Sequence, residues 1–469
     1  MIILTHSKFE TIFLVLNLLL CHLASAQWNK ILTHDAFPEH KIKLKEPHLC
    51  DKTVQQYSGY LDVNNGKHLF FWFFESRNNP KEDPVVLWIN GGPGTTSLLG
   101  LYFELGPCSI NSEGNGTIFN PYSWNNNSSM IFLDQPTYTG YSYGGDDVSD
   151  TLTAALDVYA FLQIFFQEFH NYAKLDFHLA GESFGGQFLP AIAFDINKYN
   201  HNHDSIRNIV HINLESILIG NGMMNPLVQF KYFPDMACNS SYGPVLNHST
   251  CNQLRKDCKK LIKLVKKCYD LKNAIDCMNV IYYRDDKMYQ PYRIAGKNFR
   301  DIRKPCNYTY SNESIACYPE LKNIKKYSNR EDVKTELGIN SSFVFHAKNL
   351  TIYYNFGYSG SWISPSDIYI SSLLESNIRV LIYAGDADYG CNWLGIDAWT
   401  KVFHWSGTEG FNKANITPWI TASGNYSGEF RTFKGFTFLR IFESGHFVPH
   451  DQPVSSLDFF NRWIFKKDF

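Results

Sequence analysis

The sequence predicts an α/β protein whose central sheet is mostly parallel. Short apolar runs bounded by turn-forming residues have the composition of buried strands. Helix-forming stretches, notably Thr151–Phe169 and Gln187–Lys198, lie between them. This alternation is typical of a parallel sheet covered on both faces. The expected strands are His68–Glu75, Val85–Asn90, Met130–Asp134, Phe177–Ala180, Ser216–Gly220, Ile378–Ala384 and Phe436–Phe442.

The composition allows a large core and argues against a nucleic-acid binder. The 469 residues are 44% hydrophobic and carry a formal net charge of −2. A nearly neutral chain is not expected to bind a polyanion. Length alone would suggest two or three domains, but α/β folds with insertions often run this long as one unit.

Residues 1–26 have the pattern of a secretory signal peptide. Lys8 precedes an apolar stretch, Thr11–Leu20, and Ala24-Ser25-Ala26 supplies the small residues of a cleavage site. The alternative is a membrane anchor, but the apolar stretch is about half of the roughly 20 residues needed to span a bilayer. We expect the secretory pathway, no membrane span, and a short pro-segment or N-terminal extension at residues 27–49.

The sequons and the cysteines are those expected of a protein in an oxidising compartment. The cysteines are concentrated between Cys238 and Cys317, as expected for disulfides in an irregular insertion. Each Asn-x-Ser/Thr sequon is expected on a surface loop if it is glycosylated. The sequons are at Asn115, Asn126, Asn127, Asn239, Asn247, Asn307, Asn312, Asn340, Asn349, Asn415 and Asn425.

The alternation of strands and helices stops at residues 230–365. We interpret this stretch as a cap inserted into a core formed by residues 50–229 and 366–469. It contains a basic run from Arg255 to Lys267, for which an anion- or membrane-binding face is one interpretation. The apolar residues within the run fit one side of a helix, which favours a solvated cap helix.

The motif Gly181-Glu182-Ser183-Phe184-Gly185 matches the G-x-S-x-G pattern of a nucleophile elbow. An apolar strand precedes it and a helix-like stretch follows, which is the context that an elbow requires. The glycines are needed because the turn is too tight for side chains beside the serine. An ordinary glycine-rich turn is the alternative. The context favours Ser183 as a nucleophile.

A serine nucleophile needs a histidine base oriented by a carboxylate, here in the order Ser, acid, His. His446 follows one predicted strand, and Asp386 and Asp388 follow another. The C-terminal ends of strands are where such sheets present functional groups. The spacing alone does not distinguish the two aspartates. The pair His201 and His203 lies in a polar loop with no Cys or carboxylate at metal spacing, so we expect no metal there.

The loop Asn90-Gly91-Gly92-Pro93-Gly94 follows a predicted strand. In a fold with this elbow, such a loop donates one backbone N–H to an oxyanion hole, and the residue after the nucleophile, Phe184, donates the other. Glycines let the backbone approach a reacting carbonyl closely. A plain Gly-Pro turn is the alternative, which the coincidence with the elbow disfavours.

Trp88–Gly94 and Gly181–Gly185 resemble the two signature blocks of the serine carboxypeptidases. The resemblance covers nearly the whole chain from about Cys50. It implies an α/β-hydrolase fold with an inserted, disulfide-containing cap. It also implies an enzyme that releases C-terminal amino acids from peptides and proteins at acid pH through an acyl-enzyme, with no cofactor, in a vacuole-like compartment or outside the cell. Further matching segments are Phe103–Pro107, Phe132–Pro136, Leu218–Gly222, Tyr383–Asp386, Cys391–Trp393 and Gly445-His446.

The resemblance also assigns roles to individual residues, and it chooses Asp388 over Asp386. The implied triad is Ser183, Asp388 and His446, with Gly92 and Phe184 as oxyanion donors. The implied ligands of the substrate's terminal carboxylate are Trp88, Asn90, Gly91, Glu104 and Glu182. The implied walls around the penultimate side chain are Phe184, Met223, Phe230 and Phe233, and those around the leaving residue are Leu99, Tyr318 and Phe447. For each of these aromatic residues, core packing is the alternative.

Glu104 and Glu182 make physical sense beside a substrate carboxylate only if they carry protons. Close, buried carboxyls raise one another's pKa, and a protonated carboxyl donates a hydrogen bond where an ionised one would repel the substrate. An acid optimum for peptides follows from this pair without invoking His446, which must be neutral to act as a base.

The cysteine pattern departs from that of the family. The resemblance implies the disulfides Cys238–Cys251, Cys268–Cys277 and Cys306–Cys317, with Cys50–Cys108 as an addition. A bridge that usually anchors the cap is lost, with Thr95 and His346 at its positions. Cys258 and Cys391 are left over. Cys391 is expected as a free thiol close to Asp388 and to the substrate pocket.

Two other functions remain open. An esterase or acyltransferase would share the triad and the oxyanion hole, but Asn90, Glu104 and Glu182 favour a substrate with a carboxylate. A catalytically inactive binding protein would be marked by loss of a triad member, and all three are present. The sequence predicts no oligomeric state.

Overall fold

The computed structural model describes residues 28–201, 208–308 and 317–469. The expected signal peptide at 1–26, His203 and the sequon at Asn312 lie outside these ranges. The strands are β1 Lys30–Thr33, β2 His40–Lys45, β3 Gln56–Val63, β4 His68–Phe74, β5 Val85–Ile89, β6 Cys108–Ile110, β7 Thr117–Phe119, β8 Ser129–Leu133, β9 Phe177–Glu182, β10 Leu214–Gly220, β11 Lys297–Asn298, β12 Asp301–Pro305, β13 Arg379–Gly385, β14 Thr417–Ile420, β15 Tyr426–Phe433 and β16 Phe436–Ile441.

Helices connect and cover these strands, and a short π-helical turn spans Gly100–Glu104. The α-helices are Thr151–Glu168, Gly185–His201, Pro226–Gln229, Phe233–Cys238, His248–Leu271, Ala274–Arg284, Gln290–Ile294, Leu321–Ser328, Glu331–Glu336, Leu350–Tyr358, Asp367–Glu375, Trp393–Thr400, Thr408–Lys413, Val448–Asp451 and Pro453–Ile464.

Twelve strands form one sheet in the order β1-β2-β3-β4-β8-β5-β9-β10-β13-β16-β15-β14. The six strands from β8 to β16 run parallel, which confirms the predicted parallel centre. Antiparallel strands extend both edges, and the sequence analysis missed most of them. Edge strands such as β1 and β14 bury one residue in four, so they lack the continuous apolar signal of the central strands.

Residues 27–49 contribute two of these edge strands. β2 pairs with β3 in antiparallel register, with Ile42 opposite Leu61, and both side chains are fully buried. The described part of this segment, from residue 28, is therefore built into the sheet.

The two faces of the sheet bury separate clusters, as the two-residue period of a strand requires. In β5, Val85, Leu87 and Ile89 pack with the helices Thr151–Glu168 and Gly185–His201. Val86 and Trp88 face the other way, where the helix Pro453–Ile464 contributes Phe459 and Trp463. Helices on both faces leave the carboxyl ends of the parallel strands as the place for a site.

A largely helical insertion lies between β10 and the helix Asp367–Glu375, where the cap was expected. The basic run falls in the helix His248–Leu271, which buries Leu254, Leu261 and Val265 and leaves its lysines exposed. At the positions of the lost bridge, backbone pairs join Thr95 to Lys348 and Gly140 to His346. Among the described residues, no helix is long and apolar enough to cross a membrane.

Four disulfides are formed among the described residues: the three pairs that the family resemblance implied, and Cys50–Cys108, which was expected as an addition to the family's pattern. They are Cys50–Cys108, Cys238–Cys251, Cys268–Cys277 and Cys306–Cys317. Three of them cross-link residues within the insertion, and Cys50–Cys108 links the start of the core to β6.

Candidate active site

Ser183 lies in a sharp turn between β9 and the helix that begins at Gly185. Its φ of +57° falls in the left-handed region, a strained conformation for serine. The backbone is held on both sides, because the Ser183 N–H donates to the Gly220 carbonyl at 3.0 Å and the Met223 N–H donates to the Ser183 carbonyl at 2.9 Å. A Cβ on Gly181 would lie 2.2 Å from the Ile89 carbonyl oxygen, so the strand leading into the turn needs glycine.

The structure separates the two candidate aspartates. Asp388 is fully buried, and its Oδ2 lies 2.6 Å from Nδ1 of His446. Asp386 instead accepts a hydrogen bond from the Tyr242 hydroxyl at 2.5 Å and pairs with Arg440 at 3.2 Å. Asp388 is therefore the carboxylate that can orient the histidine.

Asp388 is itself held by donors that the sequence analysis did not assign. The side-chain amide of Asn221 donates to Asp388 Oδ2 at 3.0 Å, and the backbone N–H groups of Gly390 and Cys391 donate to its two oxygens at 2.8 and 3.2 Å. Asn221 also accepts from the Gly385 N–H at 3.0 Å. These donors satisfy a buried carboxylate and fix its direction. Two signals in the sequence pointed to Asn221: its place just after a predicted strand, and its position within Leu218–Gly222, a segment covered by the family resemblance.

A hairpin of the insertion, β11–β12, is hydrogen-bonded to both loops that carry Asp388 and His446. The Phe299 carbonyl accepts from the Tyr389 and Gly390 N–H groups, each at 3.1 Å. The Arg300 carbonyl accepts from the His446 N–H at 2.7 Å. Each of these contacts joins residues that are far apart in sequence, so no local pattern could predict them.

The glycine-rich loop after β5 packs directly on the elbow. A Cβ on Gly91 would lie 2.3 Å from the Phe184 nitrogen. Gly92 has a φ of +108°, a conformation that favours glycine. The loop and the elbow thus bring the backbones at Gly92 and Phe184 to the same end of the sheet, as an oxyanion hole requires.

Two buried carboxyls, those of Glu104 and Glu182, lie beside Ser183. Nδ2 of Asn90 lies 3.2 Å from Glu104 Oε1 and 3.0 Å from Glu182 Oε1. Asn90 is held in turn, because its Oδ1 accepts from the Trp88 indole N–H at 2.7 Å and from the Gly100 N–H at 2.9 Å. Trp88 is fully buried behind Asn90, so its indole positions that amide.

Burial makes both carboxyls hold protons more tightly than usual. Desolvation raises the pKa of Glu104 to about 7, despite hydrogen bonds from Glu182 and Asn90 that favour its ionised form. Desolvation, together with the charge of Glu104 and the hydrogen bond to it, raises the pKa of Glu182 well above its ordinary value. At acid pH the pair is therefore protonated and can donate hydrogen bonds.

The apolar residues named from the resemblance form two buried groups. The Phe184 and Phe230 rings lie 6.4 and 6.5 Å from the ring of Trp362, which the sequence analysis missed. Tyr318 and Phe447 pack against each other at 5.2 Å, with Phe103 beside both. Leu99, Met223 and Phe233 are also buried.

Cys391 lies next to the acid and the base. Its Sγ is within 4.8 Å of a ring nitrogen of His446 and a carboxylate oxygen of Asp388. Burial and the charge of Asp388 raise the pKa of this thiol. Cys391 and the buried Cys258 are the free cysteines among the residues that the structure describes.

The sequence model of the serine carboxypeptidase family matches residues 47–466. The chain belongs to the serine carboxypeptidase family. It is similar to carboxypeptidase Y of Candida albicans, with 44% identity over 446 residues that cover 94% of this chain and 79% of the relative. Carboxypeptidase Y of Komagataella phaffii is 43% identical over 93% of this chain and 82% of its own length. The resemblance expected from the motifs is thus confirmed.

A solved structure supports the fold. The Kex1Δ protein, a prohormone-processing carboxypeptidase from Saccharomyces cerevisiae, superposes with a TM-score of 0.74. The match covers 93% of this chain and 95% of the other at 21% identity. The α/β-hydrolase fold is confirmed, and the chain is a serine carboxypeptidase, a hydrolase of peptides with a free C-terminus.

Proposed function

We propose that Ser183, His446 and Asp388 form the catalytic triad and that a protonated Glu104–Glu182 pair recognises the substrate's C-terminal carboxylate. The observation that carries the proposal is the Asn90 amide, which holds both carboxyls beside the elbow. Glu182 is the residue immediately before Ser183, so recognition of the terminus and attack on the last peptide bond are adjacent.

The proposed reaction proceeds through an acyl-enzyme. The Ser183 hydroxyl attacks the carbonyl carbon of the last peptide bond while its proton moves to Nε2 of His446. The N–H groups of Gly92 and Phe184 hydrogen-bond the developing oxyanion. The C–N bond breaks, and His446 gives the proton to the leaving amine. Water then attacks the acyl-serine, passes a proton to His446, and releases the shortened peptide as Ser183 regains its hydrogen.

The side-chain pockets extend this proposal to the residues on each side of the scissile bond. Leu99, Tyr318 and Phe447 are assigned to the leaving residue. Phe184, Met223, Phe230, Phe233 and Cys391 are assigned to the penultimate residue, and Trp362 joins them because its ring faces those of Phe184 and Phe230. The aromatic surface favours apolar side chains on the penultimate residue.

We further propose passage through the secretory pathway to a vacuole-like compartment or the exterior. Four disulfides support an oxidising environment. Asn115, Asn239, Asn247, Asn307, Asn340, Asn415 and Asn425 are exposed, and Asn127 is partly buried. Asn126 and Asn349 suit a glycan less, because each side-chain amide donates to a backbone carbonyl, at 2.7 and 3.0 Å.

The proposal is tested with an N-blocked dipeptide and its C-terminal amide at pH 5. Selective release of the C-terminal amino acid from the free acid supports recognition by a protonated carboxyl pair. Equal turnover of the acid, the amide and a simple ester would favour an esterase on the same scaffold and would contradict the proposal.

A further inference from the structure

Arg300 extends from the hairpin that supports the catalytic histidine. Its backbone is fixed, because its N–H donates to the Asn298 side chain at 2.9 Å and its carbonyl accepts from the His446 N–H at 2.7 Å. The backbone of Arg300 is therefore held next to that of His446.

The guanidinium of Arg300 lies along the wall assigned to the leaving residue. Its Cζ is 5.7 Å from the centre of the Phe447 ring and 5.0 Å from that of Phe299. Phe447 in turn packs on Tyr318 at 5.2 Å. The positive charge also lowers the pKa of Tyr318 and Glu182 against the larger effect of burial. A positive charge therefore lies next to the aromatic residues assigned to the leaving residue.

The neighbouring acids are already engaged by other cations. Asp301 pairs with Arg303 at 2.7 Å, and Asp451 pairs with Lys304 at 2.6 Å. Within residues 28–201, 208–308 and 317–469, no carboxylate forms an ion pair with Arg300. Arg300 is also partly buried, so its charge is less screened by water than one on an exposed side chain.

We propose that Arg300 binds an acidic side chain on the leaving residue, so that the enzyme favours peptides ending in glutamate or aspartate over peptides ending in glutamine or asparagine. The proposal rests on the site proposed above, in which the terminal carboxylate is taken by Glu104 and Glu182. A guanidinium binds a carboxylate with two parallel hydrogen bonds, and partial burial strengthens such a pair. Tyr318 and Phe447 still offer apolar contact to a neutral leaving residue. This contact sets the rate at which peptides with a neutral C-terminal residue are hydrolysed.

The test compares kcat/KM at pH 5.5 for N-blocked dipeptides that end in glutamate or glutamine and share one penultimate residue. The wild-type enzyme is expected to favour glutamate by roughly five- to tenfold, a typical value for a partly screened charge pair. In Arg300→Met the ratio should fall to about one, and Arg300→Lys should retain part of it. Lys325→Met, which removes an exposed surface charge, should keep the wild-type ratio.

Two results would overturn the proposal. The first is a wild-type enzyme with no preference for glutamate, which requires no variant. The second is an Arg300→Met enzyme with the wild-type ratio, and if kcat/KM falls equally on both substrates, Arg300 would be assigned to the terminal carboxylate instead. Failure of the proposed function would instead show as no hydrolysis of either dipeptide by the wild-type enzyme.

Discussion

Glu104 and Glu182 share one hydrogen-bond donor, the side-chain amide of Asn90, which lies 3.2 Å from Oε1 of Glu104 and 3.0 Å from Oε1 of Glu182. Both groups are nearly inaccessible to solvent, at 6% and 3% exposure. Two carboxylates in such a place cannot both ionise near neutral pH without a large electrostatic cost. The pair therefore couples pH to both stability and substrate binding.

The stability of the protein should depend on this pair. The unfolded carboxyls ionise near pH 4.5, whereas folded Glu104 keeps its proton to about pH 7. The folded state thus binds more protons across this window, so the free energy of unfolding should fall as pH rises, by about 3 kcal/mol for Glu104 alone. In the double variant Glu104→Gln/Glu182→Gln, the free energy of unfolding should fall less steeply with pH, because this contribution is absent.

The measurement is urea unfolding of both proteins at pH 4.5 and 7.5. Buried His178, whose pKa is lowered to about 3 by desolvation, contributes in the opposite direction, but its effect cancels in the difference between the two proteins. If the free energy of unfolding changed with pH equally in both proteins, the pair would already be ionised in the folded protein.

Substrate binding should depend on the protonation of the same two carboxyls. KM for an N-blocked dipeptide should rise between pH 4 and 8 as the pair loses its protons, whereas KM for the corresponding amide should change little. Glu182→Gln keeps a hydrogen-bond donor and removes one titration, so its KM should rise less steeply with pH. Glu409→Gln, at an 81% exposed side chain, is the matched control. A flat wild-type KM for the acid would make Glu182 a structural neighbour of the elbow.

Much of the fold and the site could be predicted from the sequence because the signals were local. The strand before Ser183 and the turn residues around it specify the elbow, and His446 follows another apolar run in the same way. The choice of Asp388 over Asp386 required the family resemblance, since the spacing was ambiguous. The contact between Asp388 and His446, at 2.6 Å, gives a physical reason for that choice.

The parts that sequence reasoning missed depend on contacts between distant segments. Trp362 and Arg300 reach the site from the insertion, and no local pattern marks them. Asn221 lies in a segment that resembles the family, but its role became evident only from its contact with Asp388. The edge strands were missed for a different reason. β1 and β14 bury one side chain each, and β2 alternates buried and more exposed residues, so none of the three has the continuous apolar run from which the central strands were predicted.

Cys391 should make the enzyme sensitive to mercurials. Its Sγ lies within 4.8 Å of groups on Asp388 and His446, so a bulky mercury adduct would block the pocket. Cys391→Ser should therefore resist inhibition by a mercuribenzoate. Cys258→Ser is the matched control, because the thiol of Cys258 is buried and contacts the Phe230 carbonyl at 3.3 Å. Full sensitivity of Cys391→Ser would rule out this thiol as the target.

Asp301 should act as a positioning residue for the base. It is fully buried, and its pairs with Arg303 and Lys304 stiffen the hairpin whose Arg300 carbonyl holds the His446 backbone. Asp301→Asn should lower kcat by about tenfold, as small misplacements of catalytic groups do, with a smaller effect on KM.

Asp332→Asn offers the control, because Asp332 also pairs with an arginine but is 65% exposed. Thermal unfolding of both variants separates a general loss of stability from misplacement of His446. An Asp301→Asn enzyme with unchanged kcat and a raised KM would contradict the positioning role.

The claim on which the rest depends is that Ser183 is the nucleophile. The most direct measurement is fluorophosphonate labelling of the folded protein, with the modified residue located by peptide mass spectrometry, alongside the peptidase activity of Ser183→Ala. We predict a single adduct on Ser183 and a loss of several orders of magnitude in kcat/KM for the variant, which should still fold. An adduct on another serine, or near-normal turnover by Ser183→Ala, would contradict the proposed mechanism.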